Sequence, residues 1–325
     1  MKSYCLKRLA GLVPLFLGIT LLSFAVIHLA PGGPGDTQAA FNPKMTAQAK
    51  EKLRETYGLN RPLAAQYLDW ARRLARFDFG RSFADGRDVR KKVAEAIPLT
   101  LLINALSLGL IFLVGIPLGV AGAVHEGRLP DKVLSVVTLA LFSVPTFWLA
   151  LLLMSAFGVH WRLLPVSGIH SLLYEEMSFW GKGIDTAKHL VLPVLVSSLT
   201  GLAGISRFTR SSMLAALRQN YIRTARAKGI SESRVLYRHA LGNALLPVVT
   251  ILGLSVPGLL GGSVLFETVF SLPGMGRLFF NSVFARDYPV IMGILVLGAF
   301  LTLLGNLLAD LATAAVDPRT RSAFR

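Results

Sequence analysis

NYIRTARAKGISESRVLYRHALGNALLP, residues 220–247, is a basic insert set between long uncharged runs. Ile222, Ala225 and Gly229 recur at helical spacing, while Arg223 and Arg226 stand one turn apart on another face. Gly229 accepts the left-handed backbone that ends a helix, Ser231 is placed to cap the next one, and Glu232 suits its first turn. The spacing therefore predicts a helix, a tight turn and a second helix running to Pro247.

Outward from this insert the chain is a membrane protein by composition. Of 325 residues, 53% are apolar and 16% charged, too apolar for a soluble domain and too long for a single anchor. Cys5 is the only cysteine, which excludes an internal disulfide and a cysteine-built metal site. The formal charge of +16 would suit nucleic acid, but the basic residues fall between apolar runs without a recognition motif. They read as topogenic and headgroup-facing charges, and nucleic-acid binding is set aside. Lys2, Lys7 and Arg8 precede the apolar run Leu9 to Ile27 like the start of a secretory signal. That run is longer than a signal core, and Pro31 after Ala30 disfavours cleavage, so it reads as a retained first span.

Six stretches free of Asp, Glu, Lys and Arg are long enough to cross a hydrocarbon core as helices: 9–35, 96–125, 133–161, 189–206, 239–266 and 288–309. The fourth is the shortest, and the spacing of Ile205, Phe208, Met213, Leu214 and Leu217 predicts that its helix continues past Arg207. With the N-terminus inside, segments 1–8, 126–132, 207–238 and 310–325 carry 3, 2, 8 and 3 Lys plus Arg, against 3 and 2 in outer loops 162–188 and 267–287. Outer segment 36–95 carries 13, but loops of about 60 residues translocate largely regardless of charge. Both termini and the 220–247 insert are therefore expected inside.

The outer segment has its own pattern. Thr46 can cap a helix ending near Gly58, and Pro62 can open another, with Leu63, Tyr67, Trp70 or Ala71, Leu74 and Phe77 on one side and Arg72, Arg73 and Arg76 on another. Two readings stay open: an external cap for a soluble binding protein, or an amphipathic helix lying on lipid.

The motifs RTARAKG (223–229) and RHALGNALLP (238–247) resemble the cytoplasmic "EAA" loop of binding-protein-dependent ABC importer permeases, and especially its dipeptide and oligopeptide branch. Arg223 stands at the position of the name-giving Glu, Thr224 at the first Ala and Gly242 at a Pro; Ala225, Gly229 and Leu241 keep the general pattern. YGLNRPLAAQYLDW, FGRSF, RLLPVSG (162–168), SLPGMGRLFFNSVFARDYP (271–289) and DPRTR (317–321) extend the resemblance over nearly the whole chain. It implies an all-α integral membrane protein with the type I ABC importer permease fold. The expected divisions are an N-terminal transmembrane helix (1–30), an external segment (31–97), a permease core (98–316) containing coupling loop 207–245, and a cytoplasmic tail (317–325).

The resemblance also implies partners: a second homologous permease in a heterodimer, two ATPase subunits that hold ATP and Mg, and a peptide-binding protein outside a bacterial inner membrane. Tyr221, Arg223, Thr224, Ala225, Arg226, Ala227, Lys228 and Gly229 would then couple to the ATPase. Di- or oligopeptides are the expected cargo; nickel or another small solute is the alternative within the family, and a secondary transporter the alternative outside it.

The sequence itself holds no GxxxxGK[ST] loop, HExxH, CxxC or GxSxG, and its six histidines are scattered, so neither a catalytic nor a metal site is expected. Polar groups in the apolar runs are few and therefore informative, because a charge in hydrocarbon survives only against protein or water. Asn104, Asn306 and Asp310 qualify, with Glu267 at an outer end. Asp310 is expected to pair with Arg207 or Arg210, with a path-lining role as the other reading. Pro257, Gly258, Gly261 and Gly262, in the fifth run, fit either close helix packing or a gate. Together with Asn104 and Glu267 they form the candidate translocation path.

Overall fold

The structure, a computed structural model, describes residues 2–34, 51 and 55–316. Among these residues all regular elements are helical, apart from one antiparallel bridge between Arg81 and Asp88. In order they are α1 (Lys2–Leu29), α2 (Leu63–Leu74), α3 (Val89–Val124), α4 (Leu129–Ser143), α5 (Thr146–Leu153), α6 (Phe179–Leu217), α7 (Asn220–Ala227), α8 (Glu232–Ser255), α9 (Val264–Val269), α10 (Met275–Ala285) and α11 (Tyr288–Val316). Five of them, α1, α3, α6, α8 and α11, are long and apolar enough to cross a membrane, and the bent pair of α4 and the helix ending at His160 makes six. Each of the six uncharged runs thus contains a span, but three differ in form from the expectation.

The third is not one rod. Val144 is extended (φ −84°, ψ 128°) and Pro145 follows, so the two halves meet at 103°. Proline lacks the amide that would continue the ladder, and it drives the preceding residue out of helical geometry. The fourth, expected to be the shortest, is the longest described helix at 39 residues. Lys188 and Arg207 bound its uncharged stretch without ending its backbone. The fifth begins earlier, at Glu232, contains a π-helical turn at Val235–Ala240, passes through Pro247 and ends at Ser255. A 3₁₀ turn, Val256–Leu260, replaces the α-helix around Pro257.

The described residues sort into two compact units. The first draws on 1–100, 260–267 and 273–325; the second on 101–259 and 268–272. In the first, α1 packs on α11, and Phe24, Met292 and Val296 form a core that also receives Tyr67, Trp70 and Leu74 of α2. Thr20 and Tyr67 share a hydroxyl–hydroxyl hydrogen bond of 3.0 Å. The apolar stripe of α2 is therefore half-buried against protein at Tyr67, Trp70 and Leu74, while Leu63 at its start stays exposed. Phe77, expected on that stripe, lies beyond the helix end and is 75% exposed. Thr46 and the tail 317–325 lie outside the described residues.

In the second unit α6 is the post on which α4, α5 and α8 pack. Its contact with α3 is set by glycine. A Cβ on Gly119 would stand 2.5 Å from the Ser206 carbonyl oxygen and 2.6 Å from Thr209 Cβ, and one on Gly115 would stand 3.1 Å from Ile205. Gly115 and Gly119 are four residues apart, the small-residue spacing that lets membrane helices approach backbone to backbone.

Candidate functional site

The 220–247 insert folds as a short helix held on a helical base. α7 buries Ile222 (0% exposed) and Ala225 (7%). They enter a core with Val120 and Ala123 of α3, Met213 and Ala216 of α6, and Val235, Ala240 and Ala244 of α8. Burying an isoleucine stabilises by about 1.5–3 kcal/mol, which an eight-residue helix needs because it is too short to persist alone. Its end is fixed in the backbone. Gly229 has φ +72°, its amide donates to Arg226 O (2.9 Å), and the Ile230 amide reaches Ala225 O (3.2 Å). This pair of bonds around a left-handed residue is the Schellman arrangement that glycine permits without strain. Ser231 occupies the N-cap position of the next helical segment, but its side chain makes no capping bond there.

The opposite face is polar and open. Tyr221, Arg223, Thr224, Arg226, Ala227, Lys228 and Gly229 are exposed. Arg226 is tied to Glu232 by bonds of 2.5 and 3.1 Å, and Tyr221 accepts a bond from Asn243 Nδ2 at 3.2 Å. Among the described residues Arg223 and Lys228 face no carboxylate. Of the eight expected coupling positions, Ala225 alone points inward, so it anchors the helix and does not present a surface.

Between α4 and α6 lies an ion pair that sequence reasoning missed. Asp131, 3% exposed at the start of α4, accepts from Arg210 Nε (2.5 Å) and Nη2 (2.8 Å) of α6, and from the Gly127 amide (2.9 Å). The bidentate geometry satisfies a buried carboxylate that would otherwise be costly. Gly122 leaves room for it, since a Cβ there would stand 3.2 Å from Arg210 Cδ. Arg210, one of the two partners expected for Asp310, is thus engaged by Asp131; the Asp310 side chain lies outside the described residues.

The candidate path residues fall in both units. In the second, Asn104 Nδ2 donates to Leu259 O at 2.8 Å, satisfying a carbonyl exposed where the helix gives way to the 3₁₀ turn containing Pro257 and Gly258. In the first, Gly261 and Gly262 line an apolar cavity of about 410 Å³ with Ile97, Met275 and Phe279. Glu267, 4% exposed, accepts from Thr100 Oγ1 (3.0 Å) and from the Arg277 amide (2.9 Å), while Thr100 Oγ1 accepts from the Met275 amide (2.9 Å). It therefore satisfies amides in the first turn of α10, where a carboxylate suits the helix dipole. A Cβ on Gly274 would stand 2.5 Å from Glu267 Oε2, so the turn before α10 needs glycine.

Helices long and apolar enough to cross a membrane five or six times, with the short cationic helix α7 buried against three of them, define a multi-pass membrane protein. Residues 115–322 match the family described as binding-protein-dependent transport system inner membrane component. The chain is 41% identical over 320 residues to the oligopeptide transport system permease protein AppB of Bacillus subtilis, covering 98% of this chain and 99% of that protein. It is 39% identical over 337 residues to the di/tripeptide transport system permease protein DppB of Pseudomonas aeruginosa, and 38% identical over 340 residues to the dipeptide transport system permease protein DppB of Escherichia coli K12, with 99% of each chain covered in both cases. The chain belongs to the binding-protein-dependent transport system inner membrane component family, and is a multi-pass membrane permease component.

Proposed function

We propose that this chain is the permease subunit of an ATP-driven importer of di- or oligopeptides in a bacterial inner membrane, with both termini cytoplasmic. A second homologous permease completes the pathway, a binding protein delivers the peptide, and two ATPase subunits hold ATP and Mg. The observation that carries the reading is α7: Ile222 and Ala225 lock it into a core shared with α3, α6 and α8, while Arg223, Thr224, Ala227 and Lys228 remain open. A partner that grips the open face moves three long helices with it, because a close-packed core transmits displacement instead of absorbing it. Peptide as cargo is supported by the names of the full-length relatives.

The mechanism follows from differential binding. ATPase closure favours one arrangement of the α7-bearing unit, nucleotide release another, and the binding protein selects between them on the far side. The 3₁₀ turn with Pro257 and Gly258 breaks the helical ladder, which membrane depth tolerates where backbone is buried in protein or lines a cavity, and Asn104 satisfies one of its carbonyls, which suits a path-lining role. The test is reconstitution of the chain with its second permease, ATPases and binding protein, followed by uptake of a labelled dipeptide. ATP-dependent uptake that stops when the ATPases are omitted supports the reading. Uptake by this chain without ATPases, abolished by a proton uncoupler, contradicts it, and ATP-dependent uptake of nickel but not peptide contradicts the cargo.

A further inference from the structure

We propose that an arginine-lined cleft in the first unit, formed by the end of α1, by α2 and by the start of α11, binds the phosphate of a membrane phospholipid headgroup. The cleft measures about 600 Å³, and its charged lining is Arg61, Arg72, Arg73 and Arg76 against Glu55 and Asp69. Asp69 is shared: Arg61 reaches it at 2.9 Å and Arg72 at 3.6 Å, while Arg73 bonds only its main-chain oxygen at 3.4 Å. Among the described residues Arg73 and Arg76 have no carboxylate partner. Guanidinium groups without counter-charge beside an aromatic wall of Phe24, Trp70 and Tyr288 suit an anion that carries apolar substance with it.

The position selects the lipid. Tyr67, Trp70 and Leu74 seat α2 against α1 and α11, and Tyr67 reaches Thr20, so α2 lies beside the final turns of a membrane-crossing helix. On that helix Leu22, Val26 and Leu29 are 68%, 69% and 72% exposed, as residues in contact with acyl chains would be. Cationic and aromatic side chains at the end of a span stand at headgroup depth, where phosphate is the abundant anion. Tyr67, Trp70 and Leu74 of the apolar stripe are turned to protein, leaving the arginines of α2 as the recognising groups.

Native mass spectrometry of the detergent-solubilised full chain, titrated with phosphatidylglycerol, tests this. The Arg73→Gln/Arg76→Gln variant should bind about 25-fold more weakly, about fivefold per cation at a lipid surface, and Arg73→Lys/Arg76→Lys should retain most of the binding. If the double Gln variant does not fold, Arg76→Gln alone, at an exposed position beyond α2, carries the test with about a fivefold loss. Unchanged lipid binding in the Gln variant would overturn the proposal. So would inorganic phosphate competing as strongly as the lipid, which marks a free-anion site. Loss of binding-protein affinity with lipid binding intact would assign the cleft to that protein and overturn it equally.

Discussion

Replacing Ile222 with alanine separates the two faces of α7. The side chain is fully buried in a core of small and medium apolar groups, and such a truncation typically costs 2–5 kcal/mol. α7 has one open face and can settle into part of the hole, which places the cost in the lower half, about 2–3 kcal/mol. Because the helix is a peripheral eight-residue element, the cost appears as local detachment while the membrane bundle persists. About 2.7 kcal/mol is a hundredfold rise in the detached population. Hydrogen–deuterium exchange of the reconstituted chain, followed on a peptide covering 220–230, should therefore accelerate by roughly that factor, with the exchange of α3 and α6 little changed. Arg223→Ala, on the open face, should leave exchange unchanged and still uncouple ATP hydrolysis from uptake. Unaltered protection in Ile222→Ala, or equal loss of protection in both variants, would refute the division into an anchoring and a docking face.

Gly229→Val places a β-branched residue at φ +72°, at a cost of order 1–3 kcal/mol; membrane insertion should persist while peptide uptake and its coupling to ATP hydrolysis are lost, read in proteoliposomes. A double-mutant cycle of Asp131→Asn and Arg210→Gln on thermal stability should give a loss of about 3 kcal/mol for Arg210→Gln, which leaves the buried Asp131 carboxylate uncompensated, a smaller loss for Asp131→Asn, whose partner Arg210 is 29% exposed, and a coupling energy above about 1 kcal/mol. Near the α3 entrance, burial works to raise the Asp85 carboxyl, but bonds from Lys92 and Ser82 outweigh it and hold the group down to about 2. A lowered folded-state value means stability that is full above the ordinary carboxylate range and lost as pH falls from about 4 toward 2. The stability difference between the wild type and Asp85→Asn should shrink over that window and stay constant from pH 5 to 7.

The spans are legible because a run of some twenty uncharged residues has few other uses, and α7 because Ile222, Ala225 and Gly229 keep helical register beside an arginine face. Three features escape a reading of the sequence for physical reasons. Charge-free runs report where a helix can sit in lipid and not where its hydrogen bonds end, so Lys188 and Arg207 make α6 look shorter than it is. Pro145 is a visible break signal inside the third run, outweighed there by continuous hydrophobicity. Asp131 and Arg210 are 79 positions apart, and no local pattern links them; each counts as one more loop charge until α4 and α6 bring them together. Glu267 stands out in sequence as a lone acid at a span end, but its bonds to Thr100 and to the start of α10 join positions far apart in the chain. The PGMG turn at 273–276 is the available signal for a helix start needing a carboxylate.

If an ATPase grips the open face of α7, a thiol placed on that face lies within crosslinking reach of it. A chain carrying Cys5→Ser and Ala227→Cys, assembled with its partners in inverted membrane vesicles and treated with a short thiol crosslinker, measures it directly. The expected result is a covalent adduct between this chain and one ATPase subunit. No adduct, with the thiol introduced at position 227 labelled instead by an impermeant reagent from the binding-protein side of intact cells, would contradict it.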